Sequence, residues 1–263
     1  MVKQQRLYID TLAPQRQIHT RWAGDKGPFV ILLHQIPLSC RQMERIVPVL
    51  GDFSRAYGLD LPGYGVSPVP PGPLPFSDYA RRLVDAIDAL GAKRFVLVGL
   101  EIGVALAAEI YRQVGADRVT HFIAVAPPPV DAAAKQAFIA EIGTPQEEDG
   151  THGLPIWKRF QRRWGGNADN AMLRMAFTEN LNVYHRYDWA LRAFAGYDMA
   201  AALQAVKVPA LVVSASEDHQ RLHADAVAAL MGARHEVIPG EPAILSTEPE
   251  RFGEVVAKFI GIR

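Results

Sequence analysis

The stretch Gly99-Leu100-Glu101-Ile102-Gly103 constrains this chain more than any other. An apolar run, Phe95 to Val98, precedes it, and a small apolar run, Val104 to Ala108, follows. Glycines at both ends of a three-residue link predict a tight strand–turn–helix corner, because glycine alone lets backbone and helix close on each other there. The corner lifts one side chain, Glu101, off the end of a strand and onto a helix N-terminus. Free N–H groups and the helix dipole favour negative charge at that point. Burial in a cleft would oppose it. Two readings of Glu101 follow: a cap on its own helix, or a carboxylate presented to a substrate chamber.

The 263 residues are 49% apolar with a formal net charge of zero, enough for one large core. Charge balance argues against nucleic acid or a membrane surface as partner. One cysteine, Cys40, excludes an internal disulfide framework and fits a reducing compartment. No apolar leader is read at Met1–Arg6, and no run is long enough to span a bilayer. The expectation is a soluble cytoplasmic protein acting on a small molecule, with oligomeric state left open.

Strands are expected at Arg6–Ile9, Gln17–Trp22, Phe29–Leu33, Arg55–Asp60, Phe95–Val98, Val119–Ala126, Ala210–Ser214 and His235–Ile238. Helices are expected at Arg41–Leu50, from a Ser77 cap to Leu90, after Gly103, and at Pro249–Ile260. This alternation predicts a mostly parallel sheet with helices on both faces. The segment 131–196 differs, being helical in pattern and rich in aromatics. It reads as a helical cap inserted into a core made of 1–130 and 197–263. Most of its aromatics are expected in cap–core packing, with a few, among them Trp157, Trp164 and Tyr184, lining a pocket. Lys158, Arg159, Arg162 and Arg163 form a basic cluster, expected to be a solvated face, the alternative being a gate for an anionic substrate.

With these elements in place the chain resembles the α/β-hydrolase superfamily. Gly99–Gly103 is similar to its G-x-S-x-G nucleophile elbow. His34-Gln35-Ile36-Pro37 resembles its H-G-x-P oxyanion loop, Asp60–Ser67 its D-x-P-G-x-G-x-S loop, Ser214–Asp218 its acid turn, and Pro249–Phe252 the start of its last helix. The resemblance implies an α/β-hydrolase fold, oxyanion donors at the backbone N–H groups of Ile36 and Ile102, and a triad acid at Asp218. It places His34 and Gln35 beside the pocket. Two positions depart from the family: the elbow residue is Glu101, and the loop Pro239–Ala243, which normally carries a histidine, has none.

Acyl transfer by the usual route needs a hydroxyl and a base, and neither stands at the matching positions. Three readings remain. Glu101 serves as general acid or base, aided by Asp218 and by Glu241 in the histidine loop, in a lyase, isomerase or non-serine hydrolase. Alternatively, Glu101 is a carboxylate nucleophile, as the aspartate of dehalogenases and epoxide hydrolases is in this superfamily. Or the site only binds a ligand. The first is the working expectation, on an apolar or aromatic carbonyl compound. No spacing suggests a metal site, and no cofactor is expected.

Overall fold

The computed structural model describes residues 2–11, 17–143, 147–164 and 170–262. Eight strands form one sheet: β1 (Gln5–Ile9), β2 (Ile18–Ala23), β3 (Phe29–Leu33), β4 (Arg55–Leu59), β5 (Phe95–Leu100), β6 (Val119–Val125), β7 (Ala210–Ala215) and β8 (Arg234–Ile238). Their order is β1-β2-β4-β3-β5-β6-β7-β8. The pairs β1–β2 and β2–β4 are antiparallel, and all later neighbours are parallel.

Strands β3 and β5 are buried along their whole length, so they read as unbroken apolar runs rather than alternating ones. Their side chains still divide between two faces. Ile31, Leu33 and Leu97 join the core under α2 (Phe76–Ala89) and α3 (Ile102–Val114). Val30, Leu32, Val96 and Val98 join the core under α1 (Ile46–Gly51) and α11 (Pro249–Phe259).

Two expected helix starts shift, each for a local reason. The helix expected over Arg41–Leu50 is split into a 3-10 turn, Cys40–Met43, and α1. Pro48 lacks an N–H and is tolerated only in a first helical turn, so α1 cannot begin much before Ile46. Ser39 instead caps the short turn, accepting a hydrogen bond from Arg41 N at 3.1 Å. Ser77 does not cap α2. Pro75, extended at φ −55° and ψ 149°, is the cap residue, and Ser77 lies inside the first turn.

Between β6 and β7 the chain forms α4 (Ala132–Ile142), α5 (Gly153–Trp164), α6 (Asn170–Asn182), α7 (Trp189–Ala195) and α8 (Met199–Gln204). Helices α5 and α6 have a core of their own, with Ile156, Phe160, Trp164 and Leu173 packed on Leu38 of the loop after β3. That packing seats α5 over the C-terminal end of the sheet. The remaining helices are α9 (Arg221–Met231) and α10 (Ile244–Thr247). Among the described residues no helix is long and apolar enough to cross a membrane.

Candidate active site

Glu101 alone makes the turn from β5 into α3, at φ 54° and ψ −119°. A non-glycine residue in that region costs on the order of 1–3 kcal/mol, so the surroundings must hold it. The flanking glycines are required sterically. A Cβ at Gly103 would lie 2.5 Å from the Leu33 carbonyl oxygen, and one at Gly99 would strike the Gly103 backbone.

Glu101 is 3% exposed and is covered from above by α5. Its Oε2 accepts a hydrogen bond from Arg163 Nη2 at 2.6 Å, an ion pair with both side chains buried. Arg163 Nη1 lies 3.5 Å from Glu141 of α4. The Gln220 amide fits best with its nitrogen donating to the Ala126 carbonyl at 3.0 Å and its oxygen accepting from Arg163 Nη2. Glu101 Oε1 is buried and has no hydrogen-bond partner. Burial pushes the Glu101 carboxyl above its ordinary value of 4.5, opposed by the charge of Arg163.

Above the carboxylate lies a cavity of about 20 Å³, room for about one water. Gln35, Glu101, Arg163, Trp164, Asp218 and Ala243 are among its walls. Backbone strain concentrates there. The three non-glycine residues with positive φ among the described residues, Glu101, Ala126 and Ala243, all line this one cavity. Ala243, at φ 65°, sits in the loop where the resemblance implied a histidine and opens α10.

The structure thus brings together Glu101, Asp218, Gln35 and Trp164, and separates them from other expected site residues. Glu241 lies in a different cavity of about 300 Å³ with Arg45, Glu217 and Glu248. The turn at Gly240 directs it away from the elbow. Trp157 packs edge-on against Phe177 at 5.8 Å, joining α5 to α6. Tyr184 begins a short 3-10 turn, and its side chain lies outside the described residues. His34 is wholly buried beneath the loop. Its Nδ1 donates to the Gln35 carbonyl at 2.8 Å and its Nε2 accepts from Leu61 N at 2.9 Å, which fixes the tautomer. Burial lowers its pKa, and both ring nitrogens are committed to holding loops. Ile36 and Ile102, the expected oxyanion donors, are both buried, and neither is among the walls of the elbow cavity.

The basic cluster divides by helical phase rather than forming a solvated face. Lys158 and Arg162 are exposed, while Arg159 and Arg163 are buried. The burial of Arg163 against Glu101 was not expected from the sequence, which marked it only as one of a cluster of cations. The available signal was its spacing, since 159 and 163 fall in phase with the apolar stripe Ile156, Phe160 and Trp164.

A second hydrogen-bonded chain has the form of a Ser-His-Asp relay. Ser214 Oγ lies 2.7 Å from His235 Nε2, and His235 Nδ1 lies 2.7 Å from Asp225 Oδ1. Ser214 is fully buried within β7, beneath α9, and lines none of the cavities described above. A nucleophile must reach its substrate. This chain therefore reads as a tie between β7, β8 and α9.

The sequence profile described as an alpha/beta hydrolase family matches residues 30–254. The chain belongs to that family. Solved structures agree on the fold across nearly the whole length. A bromoperoxidase from Bacillus anthracis has a TM-score of 0.78 at 17% identity, covering 98% of this chain and 100% of its own. A thermophilic esterase from Thermogutta terrifontis has a TM-score of 0.79 at 23% identity, covering 97% and 98%. Among curated proteins, a haloalkane dehalogenase from Mesorhizobium japonicum is 39% identical over 85 residues, 32% of this chain. The chain spans 28% of the length of that relative.

Proposed function

We propose that this alpha/beta hydrolase family member is a small-molecule enzyme in which Glu101 acts as general acid and base. The supporting observation is the coincidence of strain and charge. Three strained non-glycine backbones and two acidic residues, Glu101 and Asp218, converge on one cavity, and such strain clusters at active sites. Glu101 Oε1 has no partner in the closed site, so an acceptor position is open to a substrate proton. In the proposed step that proton moves from a carbon acid or hydroxyl of the substrate to Glu101 and is returned to the product. The Ile36 and Ile102 N–H groups hold the developing oxyanion, and the charge of Asp218 helps keep the Glu101 pKa raised. The site as it stands admits about one water, so substrate entry requires α5 and Arg163 to withdraw. In this reading 131–196 is the cap, and the substrate is an apolar or aromatic carbonyl compound.

The test is a panel of aryl ketones and aryl esters incubated in D2O and followed by mass spectrometry for exchange or conversion. Wild type should act on at least one member, Glu101→Gln should not, and Asp225→Asn should match wild type. A wild type inert across the panel, or an equally active Glu101→Gln, would overturn the proposal, the inert outcome favouring a ligand-binding homologue.

A second reading draws on the dehalogenase relative, in which Glu101 is the nucleophile. Glutamate carries the attacking oxygen about 1.5 Å beyond an aspartate, and Ala243 supplies no base for hydrolysing the ester. A trapped adduct on Glu101 after incubation with an alkyl bromide is its signature; an unmodified protein would refute it.

A further inference from the structure

His19, Cys40 and Asp60 converge at a place the proposed chemistry does not use. They come from β2, the turn after β3 and the end of β4. Each is less than a tenth exposed. His19 Nδ1 lies 2.9 Å from Asp60 Oδ2 and 3.6 Å from Cys40 Sγ. One donor atom from each residue falls within 4.8 Å of the others, the one such group of three among the described residues.

The shared nitrogen decides between two readings. A Cys-His-Asp relay places the thiol on one ring nitrogen and the carboxylate on the other. Here both approach Nδ1, so the ring cannot pass a proton between them. Three different donors around one point is instead the arrangement of metal ligands. The spacing agrees. Zn–S and Zn–N bonds of about 2.3 and 2.05 Å at the tetrahedral angle subtend an S···N edge of about 3.6 Å, the separation observed. The N···O edge would be about 3.3 Å, so His19 and Asp60 would part by about 0.4 Å.

We propose that His19 Nδ1, Cys40 Sγ and an Asp60 oxygen bind one divalent cation of the zinc class. Thiolate, imidazole and carboxylate suit a borderline-soft ion rather than calcium or magnesium. One thiolate and one carboxylate neutralise its two charges, and the adjoining cavity carries Arg6, Arg21 and Arg41 together with Glu44 and Glu179. The carboxylate is fixed from behind. Asp60 Oδ1 accepts from Cys40 N at 2.6 Å, and Oδ2 from Val66 N at 3.0 Å, the kind of outer support that orients metal ligands. The ring of His19 is held by Tyr8, 5.3 Å away. Three protein ligands leave the fourth position for water or an exogenous ligand, as in catalytic rather than structural zinc sites. That position faces a cavity of about 340 Å³, which shares no lining residue with the elbow cavity.

The test uses Co²⁺ as a spectroscopic stand-in, titrated into the full chain. Cys40 is the sole cysteine, so any thiolate-to-cobalt charge-transfer band reports on this site. The expected result is a band saturating at one Co²⁺ per chain and displaced by Zn²⁺. Cys40→Ser should abolish it, and His19→Ala should weaken binding by at least about tenfold. Zn²⁺ should also slow alkylation of Cys40 in the unaltered protein, a readout that needs no variant. No thiolate band at excess Co²⁺, unchanged alkylation with Zn²⁺, or full affinity in His19→Ala would each overturn the assignment.

Discussion

Replacing Arg163 with methionine removes the guanidinium from the buried Glu101 carboxylate and keeps much of the side-chain volume. The two groups stand 2.6 Å apart with side-chain exposures of 5% and 4%. Removing one partner of such a pair costs about 3–5 kcal/mol when the other must stay charged. Glu101 can instead take up a proton, and that sets a lower ceiling. From its ordinary value of 4.5 to pH 7 is about 2.5 units, which at about 1.4 kcal/mol per unit limits the protonation cost to about 3.5 kcal/mol. The sign follows from the direction of the shift. A carboxyl whose folded pKa lies above its unfolded one binds more protons when folded. Its contribution is present below about 4.5 and is lost as pH rises toward the folded value. Without Arg163 that folded value climbs further and the window of loss extends upward. Urea unfolding of wild type and Arg163→Met at pH 5 and pH 7 measures this. The variant should lose more at pH 7 than at pH 5, by at most about 2.5 kcal/mol, the limit for one proton over about two pH units. In Glu101→Leu/Arg163→Met the pH dependence added by Arg163→Met should vanish and much of the stability return. Equal losses at both pH values, or a loss below about 0.5 kcal/mol at pH 7, would refute the reasoning.

Gly103→Ala should cost at least about 1–3 kcal/mol in urea unfolding, because the added methyl meets the Leu33 carbonyl oxygen at 2.5 Å; a neutral change would show that the elbow can widen. Ser214→Ala should lose about 1 kcal/mol through its bond to His235 and keep full activity on any substrate found, and loss of turnover with retained stability would make Ser214 the nucleophile. His34→Ala should cost about 1–3 kcal/mol by leaving Leu61 N unpaired, while the Gln35 carbonyl keeps its bond from Leu38 N at 3.0 Å, read as a drop in the urea midpoint; an unchanged midpoint would remove His34 from the loop anchors.

The sheet was legible because its signals are local. Phe29–Leu33 and Phe95–Val98 read as strands from runs of consecutive apolar residues, and the structure extends the second to Leu100. The elbow followed from two glycines and their flanks. The errors come from signals that are not local. Glu241 and Asp218 looked equivalent by position, yet the loop beyond Gly240 carries Glu241 to another cavity. Four neighbouring cations looked alike until helical phase sent Arg159 and Arg163 inward. The partners of the Glu101–Arg163 pair stand 62 residues apart, and those of the His19–Asp60 pair 41. Pattern within a window does not register contacts of that range. The split of Arg41–Leu50 was readable, since Pro48 forbids a helix interior.

The state of the elbow carboxylate is read most directly by the pH titration of the Glu101 carboxyl carbon. It can be followed by carbon-13 NMR and assigned by its disappearance in Glu101→Gln. The expected midpoint lies above the ordinary 4.5 in wild type and moves higher still in Arg163→Met. A Glu101 carboxyl titrating at the ordinary position in both proteins would contradict a buried, arginine-held carboxylate at the elbow.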